Sequence, residues 1–226
     1  MRATALIERH RALGARLVEF AGWEMPIQYT GILEEHRAVR QRAGVFDLSH
    51  MAELHVDGRE AGAALACALV TDPPSLTVGR AHYSMICAPD GGVIDDLIVY
   101  RLAPDHFLVV ANAGNAAVVA EELAGRIAGF EATLDDASLR TTLVAIQGPV
   151  AVSVLAPLTD VDLVSLRYYA IAEGHVAGYP ALVARTGYTG EDGFEVFADV
   201  GRVHEVWDAM IGAGRPLPPP DTSRRV

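Results

Sequence analysis

The sequence contains no lysine: every one of its 18 residues of the Lys and Arg class is an arginine. This absence excludes a P-loop lysine and a Schiff-base lysine, on which large classes of enzymes depend. Cysteine is scarce as well, because Cys67 and Cys87 are too few and too scattered for a disulfide framework or a zinc site. Both lie in apolar surroundings, so we interpret them as small buried hydrophobic residues.

Positive charge and long apolar runs are also in short supply. The net charge of -11 argues against a sequence-independent grip on nucleic acid and against docking on an anionic membrane surface. The longest apolar stretch, residues 61–70, is too short and too alanine-rich to span a bilayer. The N-terminal segment is interrupted by charge and lacks the apolar core of a signal peptide. We therefore expect a cytoplasmic protein.

Several common catalytic motifs are missing from the chain. There is no GxGxxG leading from a strand into a helix, no GxSxG and no HExxH. The eight histidines are dispersed, and none is paired at a spacing typical of metal ligands. The sequence thus shows no visible machinery for nicotinamide, phosphate or metal chemistry, and we expect no metal.

Helical and strand patterns alternate without a regular βαβ rhythm. Residues 30–44 predict a helix with Thr30 as N-cap and Gly44 at its end, and residues 115–129 predict another that begins at Asn115. The turn "PDGG" predicts a hairpin between the strand-like runs "AHYSMICA" and "VIDDLIVYRL", with Gly91 and Gly92 in left-handed conformations. These patterns favour an α+β fold with mixed and antiparallel sheets. The proline-rich residues 215–226 predict an irregular tail.

Two adjacent aspartates interrupt the predicted strand "VIDDLIVY". Alternation places Asp96 on one face with Ile94, Ile98 and Tyr100, and it places Asp95 on the opposite face. A charge inside a hydrophobic element is costly unless a partner compensates for it. Asp95 suits a structural role, accepting backbone hydrogen bonds near the turn. Asp96 lies further inside, and its aromatic neighbour makes a ligand site the better hypothesis.

A second segment, "TGYTGEDGFEVF", combines a glycine-rich loop with a strand. Tyr188 lies at the start of the loop and Glu195 enters the strand after it. Alternation leaves the facing of Glu195 undecided, and a glutamate after a turn is usually solvated. A carboxylate also suits a flat heterocycle that offers a ring N–H beside an amino group, such as a pterin.

Five segments together carry a resemblance to a known family: "FAGWEMPIQY", "GVFDLSHMAEL", "GGVIDDLIVY", "AIQGP" and "TGYTGEDGFEVF". In this order, from Phe20 to Phe197, they resemble the aminomethyltransferases, the T-proteins of the glycine cleavage system. The resemblance implies a folate-binding T-protein-like fold. It also implies a reaction in which the aminomethyl group of lipoylated H-protein passes to tetrahydrofolate, ammonia is released and 5,10-methylenetetrahydrofolate forms.

The resemblance also implies roles for individual residues. Asp96 corresponds to the carboxylate near the reacting folate nitrogens, where it orients folate and stabilises developing positive charge. Glu195 corresponds to the residue that grips the pterin, and further folate contacts correspond to Met51, Tyr83, Ile98, Tyr100, Tyr169 and Tyr188. Tyr168 is an alternative to Tyr169 because the two are adjacent. The reaction requires no metal and no redox cofactor.

The resemblance further implies a domain division. We expect a discontinuous first domain of residues 1–50 and 139–214, a second domain of residues 51–138, and an irregular tail at residues 215–226. The expected C-terminal barrel of the family and a folate-contacting arginine have no counterpart in this sequence. Two alternatives therefore stay open: a catalytically weak or inert folate-binding fragment, and a related folate-dependent demethylase.

Overall fold

The structure, a computed structural model, describes residues 1–214. The predicted irregular tail, residues 215–226, lies outside the described residues. The helices and strands have the following bounds: β1 Arg2–Ala3, α1 Ile7–Ala12, β2 Arg16–Phe20, β3 Trp23–Gln28, α2 Ile32–Gln41, β4 Gly44–Asp47, β5 Ala52–Asp57, α3 Ala61–Ala68, β6 Arg80–Cys87, β7 Val93–Ala103, β8 His106–Ala111, α4 Ala116–Ile127, β9 Thr133–Asp136, β10 Thr141–Gln147, α5 Ala151–Leu155, β11 Ile171–Val176, β12 Tyr179–Ala184, β13 Gly193–Asp199 and α6 Val203–Ala213.

The strands form three sheets. The smallest has the order β1-β3-β2 and is mixed, because β1 pairs with β3 in parallel while β2 pairs with β3 antiparallel. The first five-stranded sheet has the order β11-β12-β13-β10-β4, and the second has the order β6-β7-β8-β5-β9. Every pairing in both five-stranded sheets is antiparallel. The predicted α+β fold with mixed and antiparallel sheets is therefore confirmed.

The two five-stranded sheets stack face to face between helices. Helices α5 and α6 cover the outer face of the first sheet, and α3 and α4 cover the outer face of the second. A third buried cluster lies between the sheets and draws on both of them, with Tyr100 and Leu108 from the second and Leu143 and Phe197 from the first. Side chains at the centre of either inner face are therefore desolvated by the opposite sheet.

The chain passes between these two sheets twice. It leaves the first sheet after β4 and returns to it at β10, so that β5 to β9 form the whole second sheet. This topology is the reason why we propose the discontinuous division into residues 1–50 with 139–214 and residues 51–138. The division stays a proposal for the whole chain.

Several local predictions are confirmed. The helix predicted over residues 115–129 is present as α4, where Val119, Leu123 and Ile127 form a buried stripe and Glu122 pairs with Arg126 at 2.7 Å. The turn before β7 joins it to β6 as an antiparallel hairpin, with Gly91 at φ +88°. Gly92 does not adopt a left-handed conformation, so this part of the turn prediction is wrong.

Three other predictions are wrong. Helix α2 has Gly31 as its N-cap instead of Thr30, because the carboxylate of Glu35 reaches back to accept hydrogen bonds from the N–H groups of residues 29, 30 and 31. The helix ends at Gln41, and Gly44 begins β4. Cys67 is exposed on α3 and Cys87 is half-buried, so neither is the fully buried residue predicted.

Among residues 1–214, no helix combines the length and apolarity needed to cross a bilayer.

Candidate functional site

The side chain of Asp96 lies on the inner face of the second sheet, and two tyrosines meet on it. Tyr83, on the neighbouring strand β6, donates a hydrogen bond of 3.0 Å to Oδ2 of Asp96. Tyr188, on the loop between β12 and β13, donates a second one of 3.3 Å to the same oxygen. The predicted association of Asp96, Tyr83 and Tyr188 is therefore present, and it joins the two five-stranded sheets at this carboxylate.

The charge of Asp96 changes the acidity of both phenols. The pKa of Tyr83 is raised, and the largest cause is its hydrogen bond to Asp96. Burial of the phenol and the negative charge of Asp96 add to the shift. The charge of Asp96 also raises the pKa of Tyr188, where charge repulsion is the largest cause. A phenolate beside a carboxylate is unfavourable, so both tyrosines stay protonated as donors at neutral pH. Because the side chain of Tyr188 is 85% exposed, the site opens to one side.

Asp95 lies on the opposite face of β7 and is 4% exposed. Its oxygens accept hydrogen bonds from the backbone N–H of Asn112 (2.9 Å), the side-chain amide of Asn112 (3.1 Å) and that of Asn115 (2.6 Å). The structural role predicted for Asp95 agrees with these contacts. Its partners lie between β8 and α4, however, and not in the turn that precedes β7. Asn115 occupies the N-cap position of α4, but its side-chain amide donates to Asp95 and makes no capping hydrogen bond to the helix.

The alternation on β7 begins one residue later than predicted. The register shifts where Cys87 pairs with Val93 and Ile86 pairs with Asp95, which leaves Ile94 in a β-bulge. As a result Ile94 packs against the helix-covered cluster that contains Leu97, and it does not share the face of Asp96 as predicted. Ile98 and Tyr100 do lie on the inner face with Asp96.

Asn112 is a site residue that the sequence analysis missed. Its side-chain amide contacts both aspartates, at 3.1 Å from Oδ1 of Asp95 and 3.3 Å from Oδ1 of Asp96. The same amide donates to the backbone carbonyl of Asp96 at 2.9 Å. An asparagine directly after the apolar strand "HFLVVA" was the available signal, since alternation places it beside Asp96 across the β7–β8 pair.

Glu195 faces the inner side of the first sheet, which decides the question that alternation left open. It is 8% exposed, and its Oε2 accepts hydrogen bonds from the hydroxyl of Tyr100 (3.2 Å) and from that of Thr186. Burial raises the pKa of Glu195, while these two hydrogen bonds oppose the shift. Burial also raises the pKa of Tyr100 well above its ordinary value, with the charge of Glu195 as the second cause. Thr186, buried at 2% exposure, is another residue that the sequence analysis missed.

The other predicted contacts surround these two carboxylates. Met51, Ile98 and Tyr169 pack partly buried against the cluster between the sheets, which contains Tyr100. Tyr169 adopts φ +59°, a left-handed conformation that is strained for a residue with a side chain. The adjacent ring of Tyr168 packs edge-on against it at 4.8 Å between centroids and is 63% exposed. Tyr169 therefore lies closer to the site than its alternative.

The assembled site offers one open carboxylate and one buried carboxylate with aromatic walls. Within residues 1–214, both hydrogen bonds to Glu195 end on Oε2, which leaves Oε1 available to a polar ligand. Asp96 provides negative charge beside two phenol donors. Across the same residues, no three side chains of His, Cys, Asp or Glu are grouped so that they could hold a metal ion. The arrangement suits a flat, nitrogen-rich molecule and the development of positive charge next to it.

A family assignment follows from sequence comparison. The profile of the GCVT N-terminal domain matches residues 6–218, which is nearly the whole chain. The chain belongs to the GCVT family.

Named relatives of this GCVT chain agree with the assignment. An aminomethyltransferase of Saccharopolyspora erythraea is 55% identical over 213 residues, which cover 94% of this chain and 58% of the relative. An aminomethyltransferase of Thermus thermophilus is 50% identical and is covered to 61%. The GCVT chain therefore spans about three fifths of the length of these relatives.

Solved structures show the same GCVT fold. The glycine cleavage system aminomethyltransferase T from Bartonella henselae superimposes with a TM-score of 0.88 at 38% identity, over 93% of this chain and 57% of that one. A heterotetrameric sarcosine oxidase from Corynebacterium has a TM-score of 0.60 at 20% identity, over 82% of this chain and 94% of that one. At this lower identity the likeness concerns the fold alone.

Proposed function

We propose that this chain carries the folate site of an aminomethyltransferase of the glycine cleavage system. In this proposal tetrahydrofolate accepts the aminomethyl carbon from the lipoyl arm of H-protein. The observation that carries the proposal is the convergence on Asp96, where a phenol from each five-stranded sheet binds the same carboxylate oxygen. The family assignment and the relatives named aminomethyltransferase support it.

The proposed site residues divide the work between binding and charge stabilisation. Oε1 of Glu195 would accept hydrogen bonds from the ring N–H and the amino group of the pterin, while Tyr100 and Thr186 fix its other oxygen. Met51, Ile98, Tyr169, Tyr83 and Tyr188 would form the apolar and aromatic walls. Such a ring binds best against a largely apolar surface with few polar groups, and these side chains would offer one that is open on the side of Tyr188.

Asp96 would act on the carbon that is transferred. As the C–N bond to ammonia breaks, the carbon gains positive charge, and a fixed carboxylate beside it lowers the energy of that state. The carbon then joins N5 and N10 of folate as its C–S bond to the lipoyl arm also breaks, and the two protons lost from these nitrogens leave on ammonia and on the lipoyl sulfur. Asp96 is proposed as an electrostatic and orienting group, without a covalent bond to the substrate.

The test uses the purified chain, tetrahydrofolate and aminomethylated H-protein, with methylenetetrahydrofolate as the measured product. We expect the product to form, and we expect Asp96→Ala to lower the rate much more than the affinity for folate. If folate binds but the wild type and the variant are equally silent, the chain is an inert folate-binding fragment. Formation of methyltetrahydrofolate from a methyl donor would instead support the demethylase alternative.

The second candidate function is folate binding without catalysis. The chain spans 58% of the length of the relative from Saccharopolyspora erythraea. Binding of tetrahydrofolate in the absence of turnover, measured by calorimetry, would identify this case. We propose a cytoplasmic location for either case, in keeping with the acidic composition.

A further inference from the structure

The motif "AIQGP" is one of the five segments that carry the family resemblance, and the proposed reaction assigns no role to it. Its glutamine, Gln147, ends β10 and is 2% exposed. The side chain lies under the loop of residues 186–192, which we call the Tyr188 loop. Its Nε2 donates to the backbone carbonyl of Thr186 at 3.0 Å, and its Oε1 accepts from the hydroxyl of Thr189 at 3.0 Å. Both ends of one buried amide therefore bind the Tyr188 loop.

Two glycines of the loop segment make room for this amide. A Cβ atom at Gly187 would overlap Oε1, Cδ and Nε2 of Gln147, and those three atoms are its nearest neighbours. A Cβ atom at Gly193 would overlap Nε2 of Gln147 and the backbone carbonyl of Ile146. Neither glycine has a left-handed φ, so space and not backbone conformation requires glycine here. The amide of Gln147 occupies the volume of both missing side chains.

The residues held by Gln147 are those that reach the two carboxylates. Thr186, whose carbonyl binds the amide, places its hydroxyl on Glu195 and Tyr100. Tyr188 follows Gly187 and reaches Asp96, yet 85% of its side chain is exposed. With so little packing around the ring, the path of the loop backbone sets the position of its hydroxyl.

Gln147 therefore contacts the loop that carries Thr186 and Tyr188, and it lies outside the positions proposed to contact folate. We propose that Gln147 is a positioning residue for folate: its buried amide fixes the Tyr188 loop so that Tyr188 meets Asp96 and Thr186 meets Glu195. The inference rests on the proposed function where it concerns folate. Its geometric part concerns this chain alone.

Two substitutions disturb the amide by independent routes. Gln147→Glu keeps the shape but sets a carboxylate oxygen against the carbonyl of Thr186, where the amide N–H was. Gly187→Ala keeps Gln147 and adds one methyl group where the amide lies. A matched control is Gly125→Ala on α4, where an added Cβ meets nothing within 4 Å. Gln147→Asn, which keeps the amide but shortens the side chain, replaces Gln147→Glu if that variant does not fold.

The first measurement follows the position of Tyr188 without any ligand. In protein labelled with carbon-13 at the tyrosine Cζ atoms, NMR resolves the titration of each ring, and the signal lost in Tyr188→Phe identifies Tyr188. In the wild type the charge of Asp96 raises the pKa of Tyr188 above its ordinary value. We expect Gln147→Glu and Gly187→Ala to return this pKa to the ordinary value of about 10, and we expect Gly125→Ala to leave it raised.

The second measurement is the dissociation constant of tetrahydrofolate by calorimetry. We expect at least a tenfold increase in both variants, and a much smaller effect of either change in a Tyr188→Phe, Glu195→Gln background. A folded Gly187→Ala protein with an unchanged Tyr188 titration and an unchanged folate affinity would overturn the inference. If the wild type itself binds no tetrahydrofolate, the proposed function fails, and the Tyr188 titration alone decides the role of Gln147.

Discussion

Asp95 and Asp96 are consecutive on β7 and share a contact with the side-chain amide of Asn112, but their other surroundings differ. Asp95 faces the helix-covered side, is 4% exposed and receives three hydrogen bonds from Asn112 and Asn115. Asp96 faces the first sheet, is half-buried and receives hydrogen bonds from two tyrosines that belong to different sheets. One residue along a strand thus separates a buried carboxylate bonded to the fold from a half-buried one that we propose as a ligand group. The comparison teaches that the face of the sheet, and not the local sequence, decides the role.

The strongest test of this difference is Asp96→Asn, which keeps the shape and removes the charge. If Asp96 stabilises developing positive charge, we expect turnover to fall by about 10²- to 10³-fold, with little change in stability. Single-turnover rates and chemical denaturation of the same samples measure the two quantities. Equal turnover in Asp96→Asn and the wild type would contradict the proposed role.

The converse change is Asp95→Ala. It removes the acceptor of the part-buried backbone N–H of Asn112 and of the side-chain amide of Asn115, and one of the acceptors of the Asn112 amide, so we expect the free energy of unfolding to fall by about 2–3 kcal/mol. Urea denaturation measures this loss, and Asp105→Ala in the exposed turn before β8 is the matched control. A loss of folate affinity without a loss of stability would reverse the roles assigned to the two aspartates.

A third carboxylate, Glu53 on β5, extends the comparison to pH. It is fully buried, and neither carboxylate oxygen has a hydrogen-bond partner within residues 1–214. Burial, with a smaller contribution from the charge of Asp136, raises the pKa of Glu53 to about 9. The folded state therefore binds this proton more tightly than the unfolded state does, and the resulting stability is lost as the pH rises from about 4.5 to about 9.

Glu53→Gln removes this ionisation. We expect the stability of the variant relative to the wild type to rise by up to about 4 kcal/mol from pH 5 to pH 8, because the carboxyl of Glu53 ionises in the unfolded wild type over this range while the folded wild type retains the proton. The measurement is urea denaturation of both proteins at the two pH values. Parallel stability profiles for the wild type and Glu53→Gln would show that Glu53 has a partner or an ordinary pKa.

The smallest expected effect is that of Tyr83→Phe. Tyr83 is 47% exposed and contributes one hydrogen bond to Asp96, while Tyr188 supplies a second one. We expect a three- to tenfold loss in the rate of transfer, equivalent to about 1 kcal/mol, and no measurable change in stability. A larger kinetic effect than that of Asp96→Asn would mean that the phenol, and not the carboxylate, is the principal group.

Much of the fold follows from local patterns. The apolar stripe of α4 and the hairpin at Gly91 were predictable because helix periodicity and turn chemistry act over a few residues. The N-cap at Gly31 was not predictable because the carboxylate of Glu35 competes with the local preference for Thr30, and the bulge at Ile94 was not because the register of β7 depends on its partner strand β6. The general fold class could therefore be predicted, whereas details at the ends of elements could not.

The site divides in the same way. Alternation alone set Asp96 and Asp95 on opposite faces, which the structure agrees with. The contact between Asp96 and Tyr188 joins residues 92 positions apart, and no local pattern contains it. Only the family resemblance predicted that Asp96 and Tyr188 belong to one site, because a loop geometry that depends on Gln147 and two glycines has no periodic signature.

The two crossings between the sheets have a consequence for the engineering of this molecule. At the crossings, Asp47 of β4 pairs with Val144 of β10, and the N–H of Leu48 bonds to the carbonyl of Leu143 at 2.8 Å. The strands that precede and follow the segment from β5 to β9 are β4 and β10, and they are thus antiparallel neighbours, as the two strands of a hairpin are. A short turn in place of β5 to β9 would leave the strand order of the first sheet intact, but it would expose Leu143 and Phe197, so such a graft needs polar substitutions on that inner face.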